Sequence, residues 1–168
     1  MRLAHRQALA ARLELHRHAP SEVDPVEFAA LDSGAIDGWK RTGFAFNAYV
    51  SASVPVRTIP VCRLYGSPAA GLDTHFFSAD PAECEALAGS GNGPWLLESP
   101  GAFRVVRADA ASGACGTGTT PVYRLWNRRA DAGHRYTASR AERDAMVAAG
   151  YQAEGYGPDP VGWCAPVP

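Results

Sequence analysis

Arginine, histidine and glutamate recur in this chain at matched intervals. One set is Arg63, His75 and Glu98; the other is Arg124, His134 and Glu154. A guanidinium only donates hydrogen bonds, a carboxylate only accepts them, and a neutral imidazole does one of each. A pocket lined by all three suits a hydroxyl-rich ligand, which needs both. Each set also carries an aromatic residue two positions after its arginine, Tyr65 and Trp126. Sugar rings stack their C–H faces on such rings, whose polar edges add hydrogen bonds. Asn127 extends the second set with an amide. The candidate ligand-binding residues are therefore Arg124, Trp126, Asn127, His134 and Glu154, with Arg63, Tyr65, His75 and Glu98 as a second site. A structural reading competes, in which repeated Arg–Glu pairs brace strands in fixed geometry.

Catalysis is the weaker use of these groups. His75 beside Glu83 or Glu98 has the makings of a general acid–base pair. The chain has no GxSxG elbow and no HExxH helix, and enzymes seldom carry catalytic residues as equal tandem copies. We read the domain as non-catalytic, with a small hydrolase as the outlying alternative. The glycine-rich stretch Asp109–Thr120 lacks the GK[ST] of a phosphate loop and reads as a flexible connector anchored by Cys115. Histidines and cysteines do not fall at zinc-ligand spacing. No metal and no cofactor are expected.

The matched intervals belong to a longer internal repeat. Val61-Cys-Arg-Leu-Tyr65 matches Val122-Tyr-Arg-Leu-Trp126, and His75-Phe-Phe-Ser78 matches His134-Arg-Tyr-Thr137. Ala82–Leu87 then matches Ala141–Met146, and Trp95–Glu98 matches Tyr151–Glu154. A degenerate copy lies upstream. Glu27–Leu31 follows the helix pattern, Trp39–Thr42 follows Trp95–Glu98, and Ala45-Phe46 follows Ala102-Phe103. Leu13–His16 is its candidate first strand, and its histidine block is missing. Residues 1–12 are an N-terminal tail or short helix. Residues 13–164 form a single domain with copies at about 13–54, 59–107 and 120–164.

Each copy reads as strand, loop, strand, short helix, strand, strand. Val122–Trp126 is a β-branched and aromatic run suited to a half-buried strand. Ser139-Arg-Ala-Glu142 has the form of a capping box, and Gly150 is placed to end that helix, with Ala145, Met146 and Ala149 as its apolar stripe. Asp80-Pro81 and Asp24-Pro25 give the same start signal in the other copies. The expected fold is mainly β with short helices (α+β). Three copies of four strands make about twelve strands, which suits a pseudo-threefold, β-trefoil-like arrangement. A small propeller-like or open repeat arrangement is the alternative.

These blocks resemble a bacterial repeat domain of unknown function with the pattern V-Y-R-[LF]-[YFW]-N, H-[FY]-[FY]-T, a Glu-bearing helix and G-[WY]-x-x-E-G. The best fit is Val122–Asn127, His134–Thr137, Glu142, Gly150-Tyr151 and Glu154-Gly155; the middle copy has Gly66 and Ser99 where the pattern has Asn and Gly. The resemblance covers about residues 13–164. It implies a module at the C-terminal end of secreted or cell-wall hydrolases that binds carbohydrate or the cell surface, an inference from company kept.

Composition agrees with an exported globular domain. Hydrophobic residues are 46% and charged residues 20% of 168, and net charge is −1. No basic surplus exists to neutralise phosphates, which argues against nucleic acid. No apolar run reaches the roughly 20 residues that span a bilayer, so membrane insertion is not expected. Four cysteines, Cys62, Cys84, Cys115 and Cys164, suggest two disulfides and an oxidising compartment. Three pairings are open; Cys62–Cys84 with Cys115–Cys164 is favoured because each bond stays within a copy. The start does not look like a signal peptide, since Met1–His18 is interrupted by charge. The expected location is extracellular or cell surface, with the periplasm open. The expected partner is a glycan or cell-surface polymer, and the chain is a monomer or part of a larger secreted one. A structural or protein–protein module of the envelope is the other reading.

Overall fold

The computed structural model describes residues 29, 33–35, 46–49, 56–89 and 93–167. Most of the degenerate first copy lies outside them, including Leu13–His16, Asp24–Glu27 and Trp39–Thr42, as does the tail 1–12. The other two copies are present as two similar units. The first is β1 (Ile59–Gly66), β2 (Thr74–Ser78), α1 (Pro81–Ala88) and β3 (Trp95–Val105). The second is β4 (Thr119–Trp126), β5 (His134–Thr137), α2 (Arg140–Ala148), β6 (Gln152–Glu154) and β7 (Val161–Pro166). Each unit is an antiparallel sheet with its first strand in the middle: β2-β1-β3, and β5-β4-β6 with β7 also on β4. β3 does in one run what β6 and β7 do in two. The fold is thus mainly β with short helices, and the described residues form two open sheets with no closed barrel.

The central strand of each unit feeds two cores. A register shift follows Val61 in β1 and Val122 in β4. Such an irregularity puts consecutive residues on the inside of a strand that otherwise alternates. Val61 and Val122 therefore face a shared core with Phe46, Phe103, Tyr136, Trp163 and Ala165. Cys62 and Leu64 face a small core under α1, with Phe76. Tyr123 and Leu125 face another under α2, with Met146.

At the centre, Phe46, Phe103 and Trp163 meet with ring centroids 5.9–6.1 Å apart. Phe46 and Phe103 end matched blocks of the first two copies, and Trp163 lies in β7 of the third. Their chain neighbours are joined in the same sense. Tyr49 and Arg104 exchange backbone bonds of 2.9 and 2.7 Å, and Val106 and Cys164 exchange two of 2.9 Å. Asn47 Nδ2 donates to Pro166 O at 3.3 Å, where proline has no N–H for a backbone exchange.

The helix starts form at the expected residues, with a change of detail. The Asp80 side chain accepts from Ala82 N, and the Ser139 hydroxyl from Glu142 N at 3.2 Å. The return half of the capping box does not form. Ser139 N donates to Thr137 Oγ1 and Asp80 N to Ser78 Oγ, each at 3.0 Å, so a hydroxyl two residues upstream takes the place of Glu142. Gly150 ends α2 with φ 95°; its N–H reaches Val147 O and that of Tyr151 reaches Met146 O. The expected apolar stripe is corrected: Ala145 and Ala149 are exposed, and Met146 is buried with Arg143. The Arg143 guanidinium lies 4.9 Å above the Tyr123 ring, which explains its burial.

Both disulfides form as favoured, Cys62–Cys84 and Cys115–Cys164. The expected loose connector is a tied turn instead. Asp109 Oδ1 accepts from Ala111 N, Ser112 N and Ser112 Oγ. These bonds hold the exposed Asp109 carboxyl below its ordinary pKa, those from Ser112 most strongly. No helix among the described residues is long and apolar enough to cross a membrane.

Candidate functional site

The register of each sheet gathers the sequence-picked residues. In the second unit Trp126 pairs with His134 on one side and Gln152 on the other, while Arg124 pairs with Tyr136 and Glu154. Cross-strand partners share a face, so arginine, histidine, glutamate and tryptophan converge on one side of the sheet. Arg124 Nε lies 3.0 Å from Glu154 Oε2, and His134 Nε2 lies 3.3 Å from the same oxygen. His134 Nδ1 is 2.8 Å from Ala132 O, which can only accept, so that nitrogen carries a proton. Asn127 is not part of this cluster. Its amide donates to Asp131 and its oxygen accepts from Arg129 N, tying the loop between β4 and β5.

The first unit repeats the cluster with a different register. Tyr65 pairs with His75 and Leu96, but β3 bulges at Glu98, since Arg63 faces Ser99 and Leu64 faces Leu97. Glu98 still reaches its partners: Arg63 Nε at 2.8 Å and His75 Nε2 at 3.1 Å. Arg63 Nη2 also lies 2.9 Å from His75 Nε2. That nitrogen receives from Arg63 only when unprotonated and gives to Glu98 only when protonated, so it serves one at a time. The Tyr65 ring lies 5.1 Å from the His75 ring, and its hydroxyl donates to Asp73. Tyr65 and Trp126 are both half-buried.

Side-chain contacts also join the units. Arg124 extends Nη1 and Nη2 to Glu83 on α1 of the other unit, at 2.6 and 3.1 Å, and Ser78 Oγ donates to the same carboxylate at 2.5 Å. The guanidinium also lies 5.0 Å over the Phe76 ring. Burial works against its charge, but the Glu83 hydrogen bonds and the nearby Tyr136, Glu83 and Glu154 outweigh it and raise the Arg124 pKa. For Glu154, burial favours the neutral acid; the His134 hydrogen bond and the charges of Arg124 and His134 prevail, holding the carboxyl below its ordinary value. Tyr136 bonds the backbone of Phe77, its counterpart in the first unit, through both N (2.8 Å) and O (2.9 Å). Full burial pushes its hydroxyl far above the ordinary range, so it remains a neutral donor.

Beside the Arg124–Glu83 bridge lies a cleft of ≈ 240 Å³. Ile59, Ser78, Ala79, Asp80 and Glu83 line one wall; Arg124, Gly155, Tyr156, Gly162 and Trp163 line the other, with Arg107 from just after β3. Gly155 has φ 148°, and a Cβ there would collide with the Val161 backbone. Glycine thus lets the chain double back between β6 and β7 and form this wall. Sequence reasoning misses Trp163 and Arg107, because they lie outside the blocks that recur. Among the described residues no group of three or more His, Cys, Asp or Glu side chains is arranged to hold a metal ion.

No curated protein and no solved structure matches the chain. Residues 35–158 match the family described as "Domain of unknown function (DUF5648)", and the chain belongs to that family.

Proposed function

We propose that this domain is a non-catalytic binding module for carbohydrate or cell-wall polymer, accessory to an exported protein. The observation that carries the reading is the recurrence, in both sheets, of an Arg–His–Glu cluster beside a half-buried aromatic ring. Tyr65 with His75 and Leu96, and Trp126 with His134 and Gln152, each make a row across three strands. Such rows suit weak binding of a repeating polymer, with strength gained from more than one contact. The Arg–Glu pairs also brace the strands, and a cluster held rigid in this way is organised before the ligand arrives. Two disulfides support an oxidising location outside the cytosol.

A pseudo-threefold, trefoil-like arrangement of three copies is part of the proposal. The Phe46–Phe103–Trp163 cluster and the three matched links between neighbouring copies support it. A surface for another protein is the second reading. Its best support is Leu96, 64% exposed beside Tyr65. Leu97 is exposed too, but successive strand residues point to opposite faces and do not make one patch.

A glycan array probed with the whole chain tests the first reading. Binding is expected to one or more polysaccharide classes, and Tyr65→Ala with Trp126→Ala is expected to remove it. Equal binding by the double variant would discard the aromatic rows as the site.

A further inference from the structure

The indole N–H of Trp163 is buried and has no acceptor. Trp163 itself is 1% exposed, held by a stacked Tyr136 ring at 5.2 Å and by the edges of Phe46 and Phe103. A buried donor without a partner is uncommon, and each case asks for an explanation such as a bound water or ligand. Trp163 is also one of the residues that line the cleft between the two units.

The cleft offers more than one lone donor. Glu83 and Asp80 stand on one wall and Arg124 faces them, with Arg107 and Tyr156 also lining the space. Two carboxylates and two guanidinium groups balance, so neither an anion nor a cation is favoured by net charge. Arg107 Nη1 reaches the Tyr156 hydroxyl at only 3.5 Å and both groups are available to a ligand. Donors and acceptors around aromatic side chains fit a neutral molecule rich in hydroxyls. At ≈ 240 Å³ the space is below the roughly 300–1,000 Å³ of sites for drug-sized ligands, which limits the occupant to something small.

We propose that the cleft between the units takes one neutral sugar ring, with a ligand oxygen accepting from the Trp163 N–H and the Arg107–Tyr156 pair holding the outer hydroxyls. This rests on the carbohydrate reading above but assigns a different site. The aromatic rows would carry a polymer along the sheets, and the cleft would hold a single residue at its end.

One spectrum separates the two sites. In ¹⁵N-labelled whole chain, with resonances assigned sequentially, the indole N–H of Trp163 reports the cleft and that of Trp126 the sheet row. Glucose, galactose, mannose and N-acetylglucosamine are the probes, with glucuronate and glucosamine as charged counterparts and a linear oligosaccharide of each neutral sugar. At least one neutral sugar is expected to shift the Trp163 signal and its oligosaccharide to shift Trp126 as well. Arg107→Ala with Tyr156→Phe is expected to weaken the Trp163 response roughly tenfold, the size of losing polar contacts at the rim. Tyr65→Ala with Trp126→Ala is expected to leave it unchanged. If no neutral sugar moves Trp163, or the charged ones move it equally, the cleft proposal falls. If Trp163 is silent while Trp126 responds, the cleft alone is refuted; if both are silent and the array is blank, the carbohydrate reading goes with it.

Discussion

The two units fasten their helices to their sheets with different chemistry at the same two places. In the first, Cys62 of β1 is bonded to Cys84 of α1. The matching residues of the second are Tyr123 of β4 and Arg143 of α2, and there the guanidinium sits 4.9 Å over the ring. Arg143 is further held by Asp144 at 2.7 Å and Asp159 at 3.4 Å. The architecture demands contact between one strand position and one helix position; a covalent bond and a cation–π contact both provide it. The strand that follows the helix differs as well. β3 runs unbroken, whereas the second unit inserts a loop between β6 and β7 that brings Gly155 and Tyr156 to the cleft. The variation between copies thus supplies part of the cleft wall, Gly155 and Tyr156, from outside the shared blocks.

The largest expected effects come from the disulfides, which are not equivalent. Cys115–Cys164 closes 49 residues and encloses nearly the whole second unit, while Cys62–Cys84 closes 22 within the first. On a chain-entropy view, Cys115→Ala with Cys164→Ala costs about 4 kcal/mol and Cys62→Ala with Cys84→Ala about 3 kcal/mol. Urea denaturation of the two double variants measures both. A reversed ranking would mean that the strand–helix bond contributes more than the loop it closes.

The bridge between units ranks next. Glu83 takes hydrogen bonds from Arg124 and Ser78, and removing its charge leaves a largely buried guanidinium short of a partner. Breaking a fully buried pair costs 3–5 kcal/mol; Glu83 is one-third exposed, and solvent screening reduces the cost of Glu83→Gln to about 2 kcal/mol. Its counterpart Glu142 sits at the start of α2 and makes no such bridge among the described residues. Glu142→Gln is expected to cost about 0.5 kcal/mol, from the helix dipole alone. Equal losses in the two variants, measured by thermal or urea unfolding, would show that Glu83 acts through its own helix.

Arg143→Met tests the substitute for the disulfide. It keeps the apolar stem and removes the charge over Tyr123, with an expected loss of about 1 kcal/mol. The same double-mutant logic with Tyr123→Leu should recover most of that loss as coupling between the pair. Independent losses would place the weight on Asp144 and Asp159.

The sequence made the local features legible and hid the ones that cross between units. Asp80 and Ser139 could be named as helix caps because capping acts over two or three residues. Cys62–Cys84 was readable because the repeat put both cysteines in one copy. The triads were readable for the same reason, as Arg63 with Glu98 and Arg124 with Glu154 recur in register. Glu83 to Arg124 spans two copies, and nothing local marks it. Arg143 could not be placed inside from helix periodicity, since its burial depends on a ring in another strand. The same periodicity puts Ala145 and Ala149 inside, whereas the residues that α2 buries are Arg143 and Met146. The trefoil-like arrangement was argued from counting strands, and the described residues give two open sheets and a ring of links at Phe46, Phe103 and Trp163.

The smallest expected effect is a pH dependence in the second unit. Glu154 is held below its ordinary value of 4.5 because the His134 hydrogen bond and the Arg124 and His134 charges outweigh the burial that opposes ionisation. A carboxyl with a lower pKa folded than unfolded stabilises the fold once it is ionised in both states. That contribution is fully present above the ordinary value and is lost as pH falls through the depressed folded one. Thermal unfolding from pH ~6 downward should therefore show wild type losing stability on acidification more steeply than Glu154→Gln, with the two curves converging at the acid end. Parallel curves would mean that Glu154 titrates alike folded and unfolded, and its pairing with Arg124 and His134 would then be a matter of geometry without energetic weight.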